Sequence, residues 1–91
     1  MLKVKERTEM SFIVYSKPGC GFCDKAKDLL ASKNIAYTEL ILDVGQVKEE
    51  SKMYVPVEEL FKKVPNARTV PQIFNGDTYI GGYDALRAIV A

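Results

Sequence analysis

The only two cysteines of this 91-residue chain stand three positions apart, at Cys20 and Cys23, where a strand-like run gives way to a helix-like one. Ser11-Phe12-Ile13-Val14-Tyr15-Ser16 is β-branched and aromatic, the composition of a buried strand, and Lys17-Pro18-Gly19 ends it. From Phe22 to Lys33 the pattern changes: Cys23, Ala26, Leu29 and Leu30 fall at helical spacing, with Asp24, Lys25, Lys27 and Asp28 on the other face. Asn34 is a stop, and Ile35 to Leu42 reads as a second strand. Strand, helix and strand at this separation predict a βαβ unit with parallel strands.

A disulfide across so short a loop would stiffen almost nothing, and a secreted scaffold would spread more cysteines along the chain. The chain has no histidine, which removes a His general base, a Cys–His dyad and imidazole metal ligands within one chain. Structural zinc asks for about four ligands, so a zinc site would have to be shared between chains; two buried, inert cysteines are the other plain reading. The strand, Pro-Gly turn and helix around the pair favour redox chemistry over both. At a helix start the first sulfur lies beside N–H groups that have no partner within the helix. Those donors and the helix dipole favour the thiolate and lower the thiol pKa. Cys20 is then the exposed nucleophile, and Cys23, one helical turn further in, the resolving thiol. Lys17 adds a positive charge, Gly21 keeps the approach open and Phe22 offers an apolar wall.

The rest of the chain completes one domain. Asp43 to Tyr54 is polar and reads as a loop or a marginal helix. Pro56 suits the first turn of a helix, with Val57, Leu60, Phe61 and Val64 as its apolar stripe and Pro65-Asn66 as its end. Gln72-Ile73-Phe74 and Thr78-Tyr79-Ile80 flank the hairpin signal Asn75-Gly76-Asp77. Gly81-Gly82 breaks the chain, and Tyr83 to Ala91 closes it as a helix with Leu86, Ile89 and Val90 on one side. The order is βαβαββα in the α/β class, with residues 1–10 as an N-terminal extension and residues 11–91 as the domain. A balance of 13 basic and 12 acidic residues argues against a nucleic-acid surface. No apolar run approaches the roughly 20 residues needed to span a bilayer, and the charged first residues lack a signal-peptide core. A cytoplasmic, monomeric protein is the expectation.

Three segments, taken in order, resemble the glutaredoxins: Tyr15-Ser16-Lys17-Pro18-Gly19-Cys20-Gly21-Phe22-Cys23, Ala67-Arg68-Thr69-Val70-Pro71-Gln72-Ile73-Phe74 and Tyr79-Ile80-Gly81-Gly82-Tyr83-Asp84. The resemblance runs from Ser11 to Ala91. It implies a thioredoxin-like fold with a central four-stranded mixed sheet flanked by helices, and glutathione as the reducing co-substrate. Pro71 matches the family's cis-proline, which faces the active cysteine and turns the Val70 backbone toward a substrate peptide. By the same resemblance the glutathione-binding residues are Lys17, Phe22, Arg68, Thr69, Val70, Pro71, Gly82, Tyr83 and Asp84. Val70 would take the cysteinyl backbone and Lys17 with Arg68 the glycyl carboxylate. Gly82, Tyr83 and Asp84 would take the γ-glutamyl end, where helix N–H groups suit a carboxylate.

The implied activity is reduction of protein disulfides and protein–glutathione mixed disulfides, and a ribonucleotide reductase is one client the family suggests. Gly21-Phe22 resembles the monothiol branch, which has serine where this chain has Cys23. That keeps open a [2Fe–2S] carrier, a dimer in which Cys20 of each chain and two glutathiones ligate the cluster. A thioredoxin, reduced by a reductase, is disfavoured because the chain has no tryptophan to precede the pair. Two further departures are Glu58, which falls where the family often supplies a glutamine to the glycyl carboxylate, and the length of Asp43 to Tyr54.

Overall fold

The computed structural model describes residues 11–90. In it the chain runs β1 (Phe12–Ser16), α1 (Gly21–Ser32), β2 (Tyr37–Asp43), β3 (Met53–Pro56), α2 (Val57–Lys63), β4 (Gln72–Asn75), β5 (Thr78–Gly81) and α3 (Tyr83–Val90). The expected extension at residues 1–10, and Ala91 of the closing helix, lie outside the described residues. The strands form one mixed sheet in the order β3-β2-β1-β4-β5. β1 pairs parallel with β2 and antiparallel with β4, so the strand that leads to the cysteines has a neighbour on both sides.

The sheet has five strands where the sequence predicts four. The added one is β3, which pairs parallel with β2 from Leu40↔Met53 to Asp43↔Pro56. It falls at the end of the stretch read as a loop or marginal helix. Only Met53, Tyr54 and Val55 favour a strand there, too short a run for its period to register. Pro56 ends the edge strand, where a missing N–H costs no ladder bond. It then serves as the N-cap of α2 rather than lying within its first turn. Residues 44–52 hold no helix or strand. Gln46 ties the segment down by donating to the Leu42 carbonyl at 3.0 Å and accepting from the Val44 N–H at 2.8 Å.

Alternation along β1 divides the core into two. Phe12 and Val14 pack with Ile73 of β4, Ala26 and Leu30 of α1 and Leu86 of α3 on one face. Tyr15 packs with Leu42, Phe74 and Leu60 of α2 on the other. α1 and α3 therefore cover one face and α2 the opposite one, which makes three layers. Asn34 ends α1 in the left-handed region at φ 60°, and the Ile35 N–H returns to the Leu30 carbonyl at 2.9 Å.

Ser16 has the same parity as Phe12 and Val14, so it faces α1, and its burial demands a partner. The Ser16 hydroxyl donates to Glu39 at 2.7 Å, and Lys27 of α1 donates to the same carboxylate oxygen at 2.9 Å. Burial pushes the Glu39 carboxyl up, but the hydrogen bonds from Lys27 and Ser16 and the Lys27 charge outweigh it and hold the group below its ordinary 4.5. Lys27 also resists its burial, and Glu39 keeps its ammonium above the ordinary 10.5. Stability from Glu39 is thus present above pH 4.5 and lost as pH falls through the lowered folded value. Glu39→Gln should cost about 1 kcal/mol at pH 7. The gap to wild type should narrow at about pH 3, measured by urea denaturation at the two pH values. An equal gap at both would contradict this account of the pair.

Candidate active site

Cys20 is the N-cap of α1, with extended backbone at φ −99° and ψ 105°. Its Sγ accepts the Cys23 N–H at 3.1 Å, one of the donors that a helix start leaves without a partner. When Cys20 carries negative charge, this bond becomes charge-assisted and the helix dipole adds to it. The two sulfurs are joined as a disulfide. They differ in access: Cys20 is partly exposed, whereas Cys23 is 1 % exposed and packed into the core. A thiolate at Cys20 can meet a substrate; Cys23 can reach only Cys20.

Opposite Cys20 stands the turn before β4. The Val70-Pro71 peptide bond is cis, and the Val70 carbonyl oxygen lies 3.5 Å from Cys20 Sγ. The Val70 N–H has no hydrogen-bond partner among the described residues. Two clefts meet at Thr69 and Val70. The larger, of about 550 Å³, is lined by Phe22, Thr69, Val70, Pro71, Gly82, Tyr83, Asp84 and Ala85. Phe22 is 57 % exposed and its ring lies 6.1 Å from that of Tyr83, so the two form the wall of this cleft. The Leu86 N–H bonds to the Gly82 carbonyl, so α3 starts there and presents its free N–H groups and Asp84 to the cleft. Gly81 permits this start: at φ 126° a Cβ would also meet the Ala85 side chain at 3.1 Å.

The smaller cleft, of about 110 Å³, lies between Lys17, Arg68, Thr69 and Val70 on one side and Val57, Leu60 and Phe61 of α2 on the other. Glu58, which the sequence placed toward the carboxylate site, is not among its lining residues. The nine residues named for glutathione therefore all line one cleft or the other, and both clefts border the Val70 backbone. A third, polar cleft of about 270 Å³ lies beyond Lys17-Pro18-Gly19, with Glu39 and Lys27 among its lining residues. Its main ion pair is already satisfied internally. Sequence reasoning missed the Ser16–Glu39–Lys27 group, because Lys27 reads there as a solvated face. The one signal was a serine at a core-facing position of β1. No group of three or more metal-ligating side chains occurs among the described residues.

The family model for glutaredoxin matches residues 12–80, which span both cysteines, the Val70-Pro71 turn and the β4–β5 hairpin. The chain belongs to the glutaredoxin family. It is 42% identical over 76 residues to glutaredoxin 1 of Rickettsia conorii, covering 84% of this chain and 68% of that protein. It is 38% identical over 78 residues to glutaredoxin 3 of Escherichia coli K12, covering 86% and 83%. The crystal structure of glutaredoxin 1 from Francisella tularensis complexed with cacodylate superposes with a TM-score of 0.62 at 27% identity, covering 86% of this chain and 88% of that one.

The fold is thioredoxin-like, and family membership carries with it thiol–disulfide oxidoreductase chemistry. No helix among the described residues is long and apolar enough to cross a membrane. In the reduced glutaredoxin-family chain, exposure predicts that iodoacetamide modifies Cys20 at least about 10-fold faster than Cys23. The rate at Cys20 should reach half its plateau below pH 8.5, about where an unperturbed thiol does. Peptide mapping by mass spectrometry reads both, and equal rates at the two cysteines would contradict the assignment.

Proposed function

We propose that this chain is a glutathione-dependent thioltransferase, with Cys20 as nucleophile and Cys23 as resolving thiol. The observation that carries the reading is the meeting of two chemically different clefts at Val70, directly opposite Cys20 Sγ. Glutathione has a central cysteine with a carboxylate at one end and a zwitterionic γ-glutamyl group at the other. The Val70 N–H and C=O suit the cysteinyl backbone as an added strand would. Lys17 and Arg68 suit the glycyl carboxylate. The start of α3 suits the γ-glutamyl carboxylate and Asp84 its ammonium, while Thr69, Pro71, Gly82, Phe22 and Tyr83 form the walls.

In the one-cysteine route the Cys20 thiolate attacks the glutathione sulfur of a protein–glutathione mixed disulfide. The protein thiolate leaves and takes up a proton, and Cys20 now carries the glutathione. A second glutathione thiolate attacks that glutathione sulfur, forming oxidised glutathione and returning the Cys20 thiolate. In the two-cysteine route Cys20 attacks a protein disulfide and forms a mixed disulfide with the client. The Cys23 thiolate then attacks Cys20 Sγ and releases the client's second thiol. The product is the Cys20–Cys23 disulfide, which two glutathiones reduce. A ribonucleotide reductase belongs to the clients such a route would serve, and dependence on reduced glutathione suits a cytoplasmic setting. A [2Fe–2S] cluster would need Cys20 from two chains and two external thiols, whereas the oxidoreductase reading uses groups that one chain supplies.

Glutathione-coupled reduction of a glutathionylated peptide tests this directly. Cys20→Ser should abolish turnover, and Cys23→Ser should retain it while losing reduction of protein disulfides. Lys17→Ala and Asp84→Asn should each raise KM for the glutathionylated peptide about 3-fold or more, the loss expected for one charged hydrogen bond at an exposed rim. Full activity of Cys20→Ser would overturn the proposal.

A further inference from the structure

Gln72 is a polar side chain at a core position: it is 6 % exposed, between the cis-Pro71 and the apolar pair Ile73 and Phe74. A buried amide needs partners for both ends. Gln72 Nε2 donates to the Thr69 carbonyl at 2.7 Å, and Gln72 Oε1 accepts from the Tyr79 hydroxyl on the neighbouring strand. The partners decide which end is which. A carbonyl only accepts, so the amide nitrogen must face Thr69, and the oxygen is left to the tyrosine.

The Thr69 carbonyl shares a peptide plane with the Val70 N–H. That peptide is trans, so its C=O and N–H point in opposite directions. Holding the carbonyl on the Gln72 side aims the N–H the other way, and accepting a hydrogen bond also polarises the peptide and strengthens its N–H as a donor. The Val70 N–H has no partner among the described residues, and Val70 borders both clefts beside Cys20. Tyr79 stands upstream. Its ring packs on Phe74 with centroids 5.2 Å apart, which keeps its hydroxyl over the Gln72 amide.

We infer that Gln72, oriented by Tyr79, is a positioning residue that aims and polarises the Val70 N–H for the backbone of the bound cysteinyl group. The inference rests on the proposed reading of Val70 as the substrate-pairing backbone, and it adds the side chains that set that backbone's direction. Neither Gln72 nor Tyr79 touches the reacting sulfurs. Their effect is therefore expected in substrate binding, not in the reactivity of Cys20.

The test uses Gln72→Met, which removes both bonds at similar volume, and Tyr79→Phe, which removes only the hydroxyl and keeps the ring. With a glutathionylated peptide, Gln72→Met should raise KM about 5-fold and Tyr79→Phe about 2-fold, as expected for loss of one hydrogen bond and of its orienting partner. In both variants kcat should stay within about 2-fold and the iodoacetamide rate at Cys20 should not change. The double variant should be no worse than Gln72→Met, because the tyrosine acts only through the amide. In the reduced, substrate-free protein the Val70 amide proton resonance should move upfield in both variants. That readout needs no glutathione, so it separates this inference from the thioltransferase reading. An unmoved Val70 resonance in folded Gln72→Met, or a double variant whose KM effect is the product of the two single effects, would overturn the inference. A moved resonance with no saturable dependence of wild type on the glutathionylated peptide would instead overturn the reading of Val70 as the substrate-pairing backbone.

Discussion

The hydrogen bond from the Cys23 N–H to Cys20 Sγ is the contact on which the rest depends. It makes Cys20 Sγ the cap of α1, so the group that stabilises the helix start when neutral is the group the helix start would stabilise when charged. Everything that fixes α1 on the sheet therefore also fixes Cys20, the proposed nucleophile. Ala26 and Leu30 seat the helix on β1 and β4, and the Lys27–Glu39–Ser16 bonds tie the same helix to the end of β1 and the middle of β2. With no histidine in the chain, a thiolate at Cys20 would depend on backbone donors such as the Cys23 N–H.

The sheet topology supplies the other half of the site. β1 and β4 are antiparallel neighbours, with Tyr15 opposite Gln72, so the chain leaving β1 toward Cys20 lies beside the chain entering β4 from Val70-Pro71. Two segments 50 residues apart in sequence thus bring Cys20 Sγ and the Val70 carbonyl to 3.5 Å. β5 then returns the chain so that α3 begins beside the same turn, where a Cβ on Gly82 would lie 3.6 Å from the Pro71 carbonyl. The site has its charged groups at the ends and backbone at the centre, a distribution suited to a small peptide with ionised termini.

Much of this is legible in the amino-acid sequence, and the reasons are local. Cys20 and Cys23 can be placed because a β-branched run, a Pro-Gly turn and a 3.6-residue period leave one junction for them. The α1 stop at Asn34 and the hairpin at Asn75-Gly76-Asp77 are legible because each has a backbone that few residues adopt; Asn34 and Gly76 have φ 60° and 63°. Both clefts are reached through motif resemblance, since spacing alone does not say that Lys17, Arg68 and Asp84 converge. What stays hidden is set by tertiary pairing. β3 exists because β2 offers an edge, not because Met53-Tyr54-Val55 forms a strand alone. Glu39, Lys27 and Gln72 read as ordinary polar residues, because a buried polar network is visible only when its members are brought together from different elements.

In the proposed complex one molecule of glutathione, bonded to Cys20, lies along the Val70 backbone with its two ends in the two clefts. The most direct measurement is the structure of Cys23→Ser carrying glutathione as a mixed disulfide on Cys20. The cysteinyl backbone is expected to pair with Val70, the glycyl carboxylate to lie beside Lys17 and Arg68, and the γ-glutamyl group to lie at the start of α3 beside Asp84. Glutathione directed instead into the polar cleft over Glu39 and Lys27, or making no contact with Val70, would contradict the proposal.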